Sequence, residues 1–329
     1  MRELLLHVGH DKTGSSYIES ALARSVSALM QHGITYPVPH NMERAANGGI
    51  TSGNIMRLEE AMSAGADTDA PEARIFFSSE LLFGRFFGRK GETLTLEALA
   101  NTFAVDRIRI LLFIRDPIDH LCSSYQQRVK RSGATMSTGR FARRYGHPQL
   151  VRDFLDIVAA SDLAEVTVFN YSRHRKEILR IVSDWLGLPE GTLALPAFDN
   201  VNRSMTHSEL EIQKIINERL GNSGHLWSDP LCEKAPDIRS SDIRPSVENQ
   251  TLAFERLKPY IDEVNACLPA AEHYRRDIAE GEKFPADTFT LNRQQMEILI
   301  GAFSDEIVQL REQVAALKVR AAERRKVQS

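Results

Sequence analysis

Eight residues near the start of the chain, Gly9-His10-Asp11-Lys12-Thr13-Gly14-Ser15-Ser16, have the make-up of a loop that holds a phosphate-like anion. Consecutive backbone N–H groups in such a turn, backed by the N-terminus of a following helix, form a concavity of positive potential. Gly9 and Gly14 allow backbone conformations that other residues resist. Ser15 and Ser16 add hydroxyl donors, and Lys12 adds a charge. The Gly-x-x-x-x-Gly spacing is half of a Walker A pattern, but the Lys-Ser/Thr that completes it is absent. Here the lysine precedes the second glycine. A tight strand-to-helix turn with serine as a helix cap would use the same residues.

A second anion-binding pair lies further along. Leu112-Phe113-Ile114 runs into Arg115-Asp116-Pro117, and proline favours a helix start at that point. Ser123 then sits about two turns into the helix and faces back toward the strand end. Arg115 and Ser123 can grip one phosphate together, the arginine bidentately and the serine through its hydroxyl. A lone arginine at a strand end also serves as a surface ion pair.

The elements that must position these groups are legible as apolar runs. Leu4–Val8, Arg74–Phe77, Ile108–Ile114 and Val166–Phe169 each read as a buried parallel strand. Helical patterns follow at Tyr17–Met30 and Arg175–Leu186, the second stopping at Gly187. Strands alternating with helices imply an α/β fold, a three-layer sandwich with a central parallel sheet. Ligands of such sheets bind beyond the carboxyl ends of the strands, where all four runs carry polar residues. Residues 1–200 are expected to form this core, residues 201–290 a helical continuation, and residues 291–329 a C-terminal amphipathic helix. Phe303, Ile307, Leu310, Val314 and Leu317 follow a heptad spacing. That pattern suits either a coiled coil joining copies of the chain or a helix packed on the domain. The basic end, Arg320, Arg324, Arg325 and Lys326, reads as a solvated tail.

The order Lys-Thr-Gly-Ser-Ser resembles the 5′-phosphosulfate loop of sulfotransferases that use 3′-phosphoadenosine 5′-phosphosulfate (PAPS). The core is then P-loop-like. The resemblance implies that Lys12 contacts the bridging oxygen of the leaving phosphate and that Thr13, Gly14, Ser15 and Ser16 hold the 5′-phosphate. Arg115, Ser123 and Tyr125 are similar to the family's 3′-phosphate motif. Val168-Phe169-Asn170-Tyr171 and the helix ending Trp185-Leu186-Gly187-Leu188 resemble a third family segment, in which the tyrosine approaches the adenine. Tyr171 is the matching residue, although Ser172 stands where an acidic residue often follows. His7, Gly9, Lys12, Thr13 and Gly14 fit the His-x-Gly-x-x-Lys-Thr-Gly opening common in the bacterial branch. Asn202-Arg203-Ser204 also resembles a recurrent segment, with no chemistry attached. The likeness covers residues 4–188.

Sulfuryl transfer is an in-line displacement that depends on positioning and charge stabilisation. The family pattern requires no metal, and its nucleotide product is 3′-phosphoadenosine 5′-phosphate. A base must take the acceptor hydroxyl's proton. Glu80 closes the second strand run and should open onto the same rim as Lys12; the alternative for it is a structural carboxylate. His10, inside the loop, is the rival base, whereas His7 reads as a core histidine. By analogy the acceptor is a carbohydrate or glycolipid hydroxyl. The basic cluster Arg128, Lys130, Arg131, Arg140, Arg143 and Arg144 flanks the small polar segment Arg131–Gly139. It suits either steering of an anionic acceptor, with the segment as a lid, or a solvated helix face.

The formal net charge of −3 argues against a general nucleic-acid binder. The three cysteines are far apart and form neither a zinc pattern nor a disulfide framework. No stretch approaches the length of a transmembrane helix, and the expectation is a cytoplasmic protein. Two competing readings are a P-loop nucleotide kinase, disfavoured by the missing Gly-Lys-Ser/Thr, and a non-catalytic scaffold that keeps the fold and assembles through its last helix.

Overall fold

The computed structural model describes residues 2–47, 49, 51–64, 74–89, 91–196, 203–224, 226–284 and 288–327, with the backbone alone at 319 and 321–327. Asn202 and the side chains of Arg324, Arg325 and Lys326 lie outside the described residues. Five parallel strands form one sheet: β1 (Glu3–Gly9), β2 (Ile34–Thr35), β3 (Arg74–Ser79), β4 (Arg107–Ile114) and β5 (Ala164–Asn170), in the order β2-β3-β1-β4-β5. The side-chain alternation of β1 sorts its residues into two layers. Leu4, Leu6 and Val8 join a core with Phe77, Ile110 and Leu112 on one face. Leu5 joins Phe76, Leu111 and Phe113 on the other. Helices cover both faces, including Leu96–Phe103 and His147–Ala159 on the first, and Ser15–Arg24 and Ile178–Leu186 on the second. Burying each such side chain stabilises the fold by about 1.5–3 kcal/mol, so β1 is anchored from both sides. The expected α/β sandwich is the fold observed.

Three local features differ from the expectation. The helix expected over Tyr17–Met30 is two helices, Ser15–Arg24 and Val26–Gln31. Ser25 breaks it: its hydroxyl donates to the Ala21 carbonyl at 2.7 Å and accepts from the Ala194 amide at 2.8 Å. Serine competes with the helical ladder in this way. The helix expected from Arg175 begins at Ile178, after a single turn at Tyr171–His174, and Gly187 caps it at φ 71°. The edge strand β2 has two residues, too few to carry any periodic signal.

The chain divides into two compact units. The first comprises Met1–Ser124, Ser137–Asn202 and Arg244–Gly281 and contains the sheet. The second comprises Tyr125–Met136, Arg203–Ile243 and Glu282–Ser329. Its core is Trp227, Leu231 and Leu299, with Phe303 packed against them. Arg203 forms a buried ion pair with Glu209 at 2.7 Å, a structural role for the residue that sequence left without chemistry. Lys130 and Arg131 pair with Asp229, so two members of the basic cluster are held by an acid. The Tyr125 hydroxyl donates to the Met136 carbonyl, and Asn217 donates to that of Ala134, fastening part of the small polar segment. In the helix Arg293–Val327, Ile307, Leu310, Val314 and Leu317 are exposed. Among the described residues no helix is long and apolar enough to cross a membrane.

Candidate functional site

Strand register brings the site together. Val8 pairs with Ser79, Gly9 with Phe113, and Ile114 with Asn170. The chain leaving β1 therefore emerges between the ends of β3 and β4, with β5 beside them. In this loop Lys12 has φ 65° and Gly14 has φ 85°, two left-handed residues on either side of Thr13. Left-handed backbone is unfavourable for lysine, and such strain concentrates at functional sites. Gly14 is the N-cap of helix Ser15–Arg24, and no side chain caps it. The serine-cap alternative is thus not what forms here, since the cap position holds a residue with no side chain to offer the first-turn amides. Thr13 is buried and its hydroxyl donates to the His10 carbonyl, so it braces the loop from within. Ser15 is buried with no hydrogen-bond partner for its Oγ, whereas Ser16 and Lys12 are half-buried. A buried hydroxyl without a partner costs about 1–3 kcal/mol, which an anion at the loop would relieve.

Gly9 is required by contact rather than by turn geometry. A Cβ there would stand 2.5 Å from the Glu80 Cα and 2.7 Å from the Ser15 Oγ. Gly9→Ala must push the loop off the end of β3. The expected result is a loss of about 1–3 kcal/mol in denaturant unfolding, together with reduced turnover.

Arg115 reaches the loop and is held there by an acid as well. Its Nη1 donates to the Lys12 carbonyl at 2.8 Å, while Nε and Nη2 donate bidentately to Asp119 at 2.8 and 2.7 Å. Ser123 is buried one turn beyond Asp119 on the helix Pro117–Ser132. Burial opposes ionisation of Asp119, but its bond to Arg115 outweighs that and holds its pKa down to about 2. The Tyr171 ring meets two guanidinium groups, with Arg115 Cζ at 5.6 Å and Arg175 Cζ at 5.2 Å from its centroid. The same ring packs on Gly14, where any Cβ would meet Tyr171 Cε2 at 2.9 Å. Ser172, in the place of the expected acid, donates to Asp119 and accepts from the Asp116 amide. Loop, arginine and tyrosine thus form one contiguous group.

Two carboxylates meet on the other side of the loop. Glu80 follows β3 directly, half-buried, with its backbone against Gly9. Glu19, on the helix that follows the loop, is fully buried and accepts from Thr51 Oγ1 at 3.0 Å and from the Glu80 amide. Burial, and then the charge of Glu80, raise the Glu19 pKa well above the carboxylate range. For a raised carboxyl, stability is fully present below the unfolded pKa and is lost as pH rises toward the folded one. Glu19→Gln removes that loss and keeps an acceptor for Thr51. The variant should therefore exceed the parent in melting temperature by a margin that widens as pH rises above the carboxylate range; thermal melts across pH check this.

The two histidines of the opening motif are both buried. His7 Nδ1 meets Ser78 Oγ at 2.8 Å, and its Nε2 has no partner. Burial lowers the His10 pKa to about 3, with His147 adding to the effect. Sequence reasoning missed Glu19, Asp119, His120 and His147. Asp119 was within reach, because it stands in the first turn of the helix that Pro117 opens, four residues after Arg115. The other three owe their place to packing that no local pattern encodes.

No protein-family model matches the chain, and no curated protein matches it. Among solved structures, a sulfotransferase from Alicyclobacillus acidocaldarius is similar at 14% identity and a TM-score of 0.39, over 81% of this chain and 96% of that one.

Proposed function

We propose that this chain is a sulfotransferase that moves a sulfuryl group from PAPS to an acceptor hydroxyl, on a carbohydrate or glycolipid. The observation that carries the reading is the convergence of the uncapped loop Lys12–Ser16, the Arg115–Tyr171 pair and Glu80 at one edge of the sheet. The loop's features suit a 5′-phosphosulfate: the left-handed Lys12 and Gly14, the unpartnered Ser15 hydroxyl and a helix N-terminus whose cap residue has no side chain.

In this reading Lys12 neutralises charge that develops on the bridging oxygen as its bond to sulfur breaks. The amides of the first turn and Ser15 and Ser16 hold the phosphate. Arg115 supplies positive charge and Tyr171 a face for the adenine, with Ser123 left as a candidate donor to the 3′-phosphate. Glu80 accepts the proton of the acceptor hydroxyl as the new S–O bond forms. His10 is poorly suited to that task, since a base works best with a pKa near the operating pH and burial depresses that of His10.

The test is incubation of the purified protein with [35S]PAPS and a carbohydrate and lipid extract, followed by identification of the labelled product. Label in a hydroxyl-bearing sugar is the expected result. Absence of transfer to any acceptor, with magnesium-dependent ATP turnover in its place, would favour the kinase reading instead.

A further inference from the structure

Sulfuryl transfer as proposed makes no use of a cluster that the same loop helps to build. His10 and Asp11 precede Lys12, His120 lies in helix Pro117–Ser132, and His147 opens helix His147–Ala159. One ligand atom from each of the four lies within 4.8 Å of the other three. His10 Nε2 and His147 Nδ1 are 3.2 Å apart, His120 Nε2 and Asp11 Oδ1 3.3 Å, and His147 Nδ1 and Asp11 Oδ1 3.7 Å. A tetrahedral zinc shell, with bonds of about 2.0–2.2 Å to nitrogen and oxygen, spaces adjacent ligand atoms about 3.3 Å apart. These three of the six separations lie within about 0.4 Å of that edge length, and all six lie within 4.8 Å.

Ring orientation agrees. The imidazole centroids are 4.2 Å apart for His10 and His120, 4.3 Å for His120 and His147, and 4.9 Å for His10 and His147, with planes inclined at 57°, 52° and 72°. The rings are tilted against one another rather than stacked in parallel. His120 Nδ1 meets the Tyr145 hydroxyl at 2.8 Å, and Nε2 faces Asp11, meeting its carbonyl oxygen at 2.8 Å and its Oδ1 at 3.3 Å, so ligation of an ion exchanges the carbonyl bond for the metal. An outer partner on the far nitrogen is what fixes the orientation of a ligating histidine. Asp11 is 39% exposed and His147 18%, which leaves an entry path to an otherwise buried site.

We propose that His10, Asp11, His120 and His147 bind one divalent transition-metal ion of the zinc class. Three imidazoles and a carboxylate suit zinc or cobalt rather than magnesium or calcium. Four protein ligands close a tetrahedral shell, so the ion is structural. It ties the loop at its second and third residues to two helices and thereby fixes the position of Lys12. His10 is then a ligand, and its imidazole is not available as a base.

The experiment is a titration of tag-free, chelator-treated protein with cobalt(II), read by its visible ligand-field band and followed by displacement with zinc. An intense tetrahedral band saturating at one equivalent, bleached by zinc, is the expected result. His147→Ala and Asp11→Asn should each weaken cobalt binding at least tenfold, and Tyr145→Phe by about 10–100-fold. Zinc should raise the melting temperature of the parent and not that of His147→Ala. Absence of a saturable band in the parent overturns the proposal whatever the variants do. Equal affinity in His147→Ala and Asp11→Asn overturns it as well. The titration contains no PAPS, so its failure is separate from any failure of the transfer reading.

Discussion

Lys12→Gly should lose turnover by a factor of about 10²–10³ while its melting temperature stays level or rises. The first half follows from removal of the charge that the proposed transfer puts nearest to the leaving oxygen. The second follows from the backbone. Lys12 holds φ 65°, a conformation that costs a residue with a side chain about 1–2 kcal/mol and glycine almost nothing. The extra freedom of glycine in the unfolded chain offsets about 0.5–1 kcal/mol of that relief. Lys12→Ala is the control: it loses the charge yet keeps the strain, so turnover should fall equally without the stability benefit. Initial rates with PAPS and thermal melts of the three proteins decide the matter. Near-normal turnover in Lys12→Gly removes the loop from catalysis and with it the main support for sulfuryl transfer. A melting temperature well below the parent's would show that the lysine side chain holds the loop together.

The residues that made the fold legible are those whose role is local. Leu4–Val8 and Ile108–Ile114 are apolar enough to be read as buried strands, and both pair in register at the centre of the sheet. Gly187 stops a helix by its own conformational freedom, as its neighbours suggested. The uncapped loop at Lys12–Ser16 was readable because its glycines, serines and lysine are contiguous. Ser25 shows where local reading fails: its hydroxyl breaks a periodic helix through a contact with Ala194, 169 residues away. Arg115 was read as a strand-end cation, and the structure adds a partner, Asp119, that the sequence reading did not name. Ser123 matched a spacing, yet Asp119 lies one turn closer and completes a bidentate pair. Glu19, His120 and His147 were invisible for a common reason. Each is an ordinary helical residue whose chemistry exists only once the sheet has brought distant loops to one edge.

Glu80→Gln tests the acceptor side. Loss of a positioned general base lowers turnover by about 10²–10⁴-fold. Binding of 3′-phosphoadenosine 5′-phosphate, followed by calorimetry, should be unaffected, because nothing places Glu80 on the nucleotide. The substitution is nearly isosteric and leaves the backbone contact with Gly9 in place. It also carries a second readout that is independent of catalysis. The charge of Glu80 helps to hold the proton on buried Glu19. Without that charge the folded-state pKa of Glu19 moves back toward its unfolded value, so the loss of stability with rising pH should shrink in Glu80→Gln. The shrinkage should vanish when Glu19→Gln is already present, a coupling that only neighbours show. His10→Ala separates the rival base. Burial means that His10→Ala lowers the melting temperature in either case, but were His10 the base its variant would also match the turnover loss of Glu80→Gln. With Glu80 as the base, His10→Ala acts through the loop it supports, and its smaller kinetic loss comes with a lower melting temperature. Near-normal turnover in Glu80→Gln, with the pH-dependent stability shift present, would mean that the carboxylate sits beside the loop as described and that another group takes the proton.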